Sequence, residues 1–147
     1  MPGFKAHLAV GAVVFAVVML VLSSVLQPSI LLALQYFFCT LLGALFPDFD
    51  TKSRGQTLFY RVLVPCLLFV LWQQKLQLFI LLTFIGLLPL VVKHRGLLHK
   101  KWFVMIVPPV VAILLAQSYG MQPYALVRYA LFFSLGALSH IILDFKK

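Results

Sequence analysis

Apolar residues run along this chain in long blocks, broken only by short polar stretches that often contain proline or glycine. Six blocks stand out, at about 7–26, 30–46, 58–72, 76–92, 102–117 and 124–143. An α-helix rises about 1.5 Å per residue, so blocks approaching twenty residues match a hydrocarbon layer about 30 Å thick. The pattern predicts an all-α fold: a polytopic membrane bundle of about six transmembrane helices, forming a single integral membrane domain over residues 1–147. The third block is short and carries Arg61, which leaves a five-helix count as the alternative.

The breaks between blocks differ in kind. Gln27-Pro28-Ser29, Gln73-Gln74-Lys75 and residues 118–123 read as tight turns between antiparallel helices. Residues 47–57 and 93–101 are longer polar connections. Pro65, Pro89 and the Pro108-Pro109 pair fall inside blocks, where neighbouring groups in a membrane bundle satisfy the freed carbonyls; a kink is expected around Pro108. Lys5 precedes the first block as a basic residue precedes a signal peptide core. That block is longer than such a core, however, and no small-x-small cleavage site follows, so it is expected to be retained as a first helix.

Composition sharpens the membrane reading. The chain is 63% hydrophobic and 10% charged, which leaves too little polar surface for a soluble domain of 147 residues. Its net charge of +9 would suggest a nucleic-acid partner in a soluble protein. Here the cations sit between apolar blocks, where they orient the chain and meet anionic lipid headgroups, and no nucleic acid is expected. In a six-span topology Lys5, Lys52, Arg54, Lys93, Arg95, Lys100, Lys101, Lys146 and Lys147 share one side, while the opposite turns hold Lys75 alone. Nine against one predicts that both termini are cytoplasmic. Trp72, Trp102, Tyr119 and Tyr124 fall near block ends, as interfacial anchors do. Cys39 and Cys66 lie within apolar blocks without CxxC spacing and read as small apolar residues.

The chemistry-bearing residues are few and placed alike. There is no Glu; the acids are Asp48, Asp50 and Asp144, and the histidines are His7, His94, His99 and His140. His7 opens the first block, the Asp48/Asp50 pair follows the second, His94 and His99 follow the fourth, and His140 and Asp144 close the sixth. All seven therefore fall at the cytoplasmic end of the predicted bundle. A carboxylate near lipid is costly unless paired, hydrated or bound to a cation. His140 and Asp144, spaced i, i+4, share a helix face. Gly96, between His94 and His99, suits a sharp turn. Imidazole and carboxylate donors suit zinc, manganese or iron, with zinc the first choice, and seven ligands exceed the needs of one tetrahedral ion. Two ions sharing a bridging Asp would activate water and hold a phosphate oxygen, with Arg54, Lys93 and Arg95 nearby for the anionic substrate. Each part has a plainer reading. His7 suits a helix start, Asp48 and Asp50 suit caps or ion pairs with Lys52 or Arg54, and His94 and His99 suit a solvated loop.

Three segments carry a resemblance: Gly43-Ala44-Leu45-Phe46-Pro47-Asp48-Phe49-Asp50, then His94-Arg95-Gly96-x-x-His99, then Gly136-x-x-Ser139-His140-x-x-x-Asp144. In this order the chain resembles the YdjM-like inner-membrane proteins, described as metal-dependent hydrolases, and His7 corresponds to that family's early histidine. The resemblance spans nearly the whole chain. It implies a bacterial or archaeal inner-membrane protein with a divalent-metal hydrolase centre. More distantly, the His/Asp usage looks like zinc phospholipase C, which implies phosphoester or lipid-derived substrates. The chain departs from the family pattern at Leu98 and Lys100, where hydroxyl residues flank the second histidine, and at Thr51, where many members carry another His.

The resulting expectation is a membrane-bound hydrolase with His7, Asp48, Asp50, His94, His99, His140 and Asp144 as metal ligands. Asp48, Asp50 and His99 are its candidate catalytic groups, and Arg95, Arg54 and Lys93 its substrate contacts. The alternatives are a non-enzymatic adaptor that binds lipid headgroups and, third, a small transporter.

Overall fold

A computed structural model describes residues 3–50, 54–92 and 96–145, without the side chains of Asp50, Arg54 and Phe145. The described residues form six α-helices and two short 3-10 turns, with no strand among them. The helices are α1 (Phe4–Leu26), α2 (Ile30–Leu45), α3 (Arg54–Trp72), α4 (Leu76–Val91), α5 (Lys101–Ser118) and α6 (Pro123–Phe145). The 3-10 turns are Phe46–Asp50, which prolongs α2, and Leu97–His99, which precedes α5.

Local chemistry explains the boundaries. Gln27 ends α1 in the left-handed region at φ 37° while its N–H still reaches the Ser23 carbonyl. Ser29 then caps α2 by accepting a hydrogen bond from the Leu32 N–H at 3.3 Å. Gln74 at φ 57° separates α3 from α4, and Gly120 at φ 62° follows α5. α5 continues as helix through Pro108 and Pro109.

Five helices are long and apolar enough to cross a membrane, and α4, with 16 residues, is the shorter apolar one. The expected weak member was the third block, which the structure corrects. α3 begins at Arg54 rather than near residue 58 and reaches 19 residues. Gly55, Gln56 and Thr57 look loop-like by hydropathy, yet the Gln56 side-chain amide donates to the Phe49 carbonyl at 2.8 Å and ties down this polar first turn.

The chain divides into two compact units, Met1–Pro47 with His99–Lys147, and Asp48–Leu98. In the second, α3 and α4 form an antiparallel pair. The Tyr60 hydroxyl donates to the Gly86 carbonyl at 2.7 Å, and a Cβ at Gly86 would strike the Leu63 side chain. In the first, α6 packs against α1, α2 and α5. Its contact with α2 is backbone to backbone: a Cβ at Gly43 would collide with the Phe133 carbonyl, and one at Gly136 with the Thr40 carbonyl. Small residues at a membrane-helix crossing allow this approach, where dispersion and polar contacts rather than the hydrophobic effect hold helices together. Farther along the same crossing, Tyr36 stacks on Phe132 with centroids 4.5 Å apart, and the Tyr129 hydroxyl donates to the Gln35 side chain at 2.7 Å.

Burial is inverted relative to a soluble protein. Leu20, Val25 and Ile30 are 77–84% exposed, while His7 and His140 are 1% exposed. The buried residues of α1 are His7 and Gly11, one turn apart, so this helix gives its inner face to an imidazole and its outer surface to lipid. Trp72, Trp102, Tyr119 and Tyr124 are all exposed near helix ends, where amphipathic rings suit the headgroup region.

Candidate metal centre

The site is built from helix ends. His140 stands one turn before the end of α6, and its ring reaches the carbonyl of Ala44, with Nδ1 2.7 Å from that oxygen. Ala44 lies in the last turn of α2, where carbonyls lack an α-helical partner and remain open to side-chain donors. A carbonyl can only accept, so Nδ1 carries a proton, and in the neutral ring Nε2 then presents its lone pair. A ring nitrogen donating to a backbone carbonyl, with the other nitrogen as ligand, is how metal-binding histidines are commonly oriented.

Asp144 lies one turn further along α6. Its Oδ2 is 3.5 Å from His140 Nε2, and its Oδ1 is 3.6 Å from His7 Nε2. The carboxylate is 11% exposed, and Oδ1 is a buried oxygen with no hydrogen bond among the described residues. His7 lies face to face with His140, centroids 3.7 Å apart and planes 14° from parallel. α1 can bring His7 this close because Gly11, on the next turn, meets Ala44 where a Cβ would sit 2.9 Å from the Ala44 Cβ. His99 meets the His140 ring edge-on, at 5.6 Å and 75°.

Asp48 is carried to the same end by the 3-10 turn that prolongs α2. Asp48, His99, His140 and Asp144 each offer one ligand atom, and these four atoms lie within 4.8 Å of one another. The donor set fits a divalent cation on three counts. Nitrogen and carboxylate oxygen are the donors of zinc and manganese sites. Two carboxylates in a largely buried setting favour nearby positive charge, which a divalent ion would supply. The His140–Asp144 separation also exceeds a good N–H···O hydrogen bond, yet it matches the spacing of about 3.4 Å between two donors sharing one ion at about 2.1 Å.

Lys93, His94 and Arg95 lie outside the described residues, and the side chains of Asp50 and Arg54 are likewise outside them. Lys100 is exposed. Ser139 turns back on its own helix, its hydroxyl donating to the Gly136 carbonyl at 2.7 Å. Residue-type reasoning overlooks Ala44, Gly43 and Gly136, because a backbone carbonyl carries no sequence signal. The visible trace was the pair of glycines beside the site residues.

Fold and site together define a multi-pass α-helical membrane protein with a His/Asp cluster, suited to a metal ion, gathered at one end of its helices. The family model for the YdjM inner membrane protein matches residues 1–146, and the chain belongs to that family, as an inner-membrane protein. No curated protein and no solved structure matches it.

Proposed function

We propose that this protein is a membrane-bound, metal-dependent hydrolase of a phosphoester or lipid-associated substrate. The observation that carries the reading is the convergence of four ligand atoms from Asp48, His99, His140 and Asp144 within 4.8 Å, at the ends of apolar helices. A divalent cation held there supplies Lewis acidity and a water that ionises near neutral pH. His140, with its Nδ1 proton held on the Ala44 carbonyl, keeps Nε2 as a ligand. Asp48 is our choice of base to take the proton from the attacking water, with Asp50 and His99 as the other candidates. Arg95, with Arg54 and Lys93, suits the phosphate as a cationic contact that strengthens as charge builds on its oxygens. Both termini face the cytoplasm in this reading, which the nine-to-one distribution of cations supports, and membrane lipids surround the bundle.

The test uses the full chain in lipid nanodiscs. Metal content after exposure to zinc or manganese is measured first, then hydrolysis of a panel of soluble phosphoesters and phospholipids. Bound metal that disappears in His140→Ala, together with turnover of a panel member, supports the reading. Absence of metal refutes the site, and metal without hydrolysis across the panel favours a headgroup-binding adaptor.

A further inference from the structure

Asp144 turns its two oxygens toward two different histidines. Oδ2 faces His140 Nε2 at 3.5 Å, and Oδ1 faces His7 Nε2 at 3.6 Å. Each separation is too long for a good hydrogen bond, and each suits two donors that share an ion. One carboxylate thus meets two imidazoles in the same geometry, once through each oxygen.

The rings themselves point the same way. His7 and His140 are nearly parallel, with centroids 3.7 Å apart. Two imidazolium cations at this distance would repel, so the stack favours neutral rings. Neutral rings keep a nitrogen lone pair, and the two Nε2 atoms each face one oxygen of Asp144. His7 is not one of the four residues whose ligand atoms lie mutually within 4.8 Å, which places it beside that group rather than in it.

We infer that the centre holds two divalent cations bridged by Asp144, with His140 on the ion shared with Asp48 and His99, and His7 on the second. This inference rests on the metal-site reading above and assigns His7 and Asp144 roles within it. Asp144 spans the pair through Oδ2 and Oδ1. The remaining positions of the second ion are then open to other protein donors, solvent or a substrate oxygen.

Manganese is the probe, because a carboxylate-bridged pair of Mn²⁺ ions gives an exchange-coupled EPR signal and an isolated ion does not. The full chain in nanodiscs is dialysed against Mn²⁺, the bound metal is counted per chain, and the spectrum is recorded. Two ions per chain with a coupled signal are expected. His7→Ala should retain one ion and lose the coupling; His7→Gln, closer in size, repeats the measurement should the alanine variant unfold. Asp144→Asn should also abolish the coupling. One ion per chain in the wild type, unchanged in His7→Ala, overturns the bridged pair and leaves the hydrolase proposal standing. A coupled pair that persists without His7 overturns its assignment. No bound manganese or zinc in the wild type overturns both readings together.

Discussion

The tightest link between fold and site runs through Gly136, and Gly136→Ala tests it. A Cβ at this position would strike the Thr40 carbonyl and sit 2.9 Å from the Ala44 nitrogen. Ordinary contact needs about 3.5 Å or more, so the α2 and α6 backbones must part by at least roughly 0.6 Å. The parting falls where the His140 ring bridges the helices. Its 2.7 Å bond to the Ala44 carbonyl would then stretch to about 3.3 Å, past the good range for N–H···O. Overpacking costs about 1–3 kcal/mol and the weakened hydrogen bond about 1 kcal/mol, giving a loss of roughly 2–4 kcal/mol in stability. His140 would also lose the contact that fixes its tautomer, and losses of that kind lower metal affinity about 10- to 100-fold. Thermal unfolding in nanodiscs and chelator competition for zinc read the two effects separately. Unchanged stability together with wild-type affinity would refute the claim that this crossing orients His140. Lost stability with intact affinity would refute only its link to the metal.

Three further outcomes follow from the same structure. Asp48→Ala removes a donor and one of the two carboxylates, and should weaken zinc binding at least 100-fold by chelator competition, whereas Lys100→Ala, at an exposed neighbour of His99, should change it less than about threefold. Val17→Asp puts a carboxylate on the lipid-facing surface of α1, 54% exposed in the wild type, and should cost about 2.5–3.5 kcal/mol in an insertion assay; insertion equal to wild type would place that surface out of lipid. A fluorescent protein fused after Lys147 should fold and fluoresce while a periplasmic phosphatase at the same point stays inactive, and the reverse pattern would invert the proposed topology.

How far this arrangement was legible in the sequence depends on what each feature rests on. Hydropathy over twenty residues registers lipid contact directly, so the long helices and the turns at Gln27-Pro28-Ser29 and Gln73-Gln74-Lys75 were visible in outline. It fails where polar residues continue a helix, as in the first turn of α3, where Gln56 hydrogen-bonds to Phe49. The site was legible as order along the chain. His7 opens α1, Asp48 follows α2, His99 precedes α5, and His140 and Asp144 close α6, an alternation that antiparallel helices convert into proximity. Distance was not legible, nor was the division between His7 and the group of four. Both depend on how closely α1, α2 and α6 approach, which Gly11, Gly43 and Gly136 decide through the absence of a side chain.

That dependence explains why the centre sits where helices end. In the middle of a membrane helix each carbonyl already accepts from the turn that follows, whereas carbonyls of the last turn have lost that partner. At the last turn of α2 the Ala44 carbonyl accepts from the His140 ring, and the 3-10 turn that continues the chain delivers Asp48 just after the helix itself has stopped. The same ends lie nearest the headgroup region, where ions and water reach the protein. A metal site assembled there draws its orientation from backbone that the apolar helices have already fixed, and needs few polar side chains in a chain with only three acids. The bond from His140 to Ala44 is thus the point at which a lipid-facing bundle becomes a candidate metal centre.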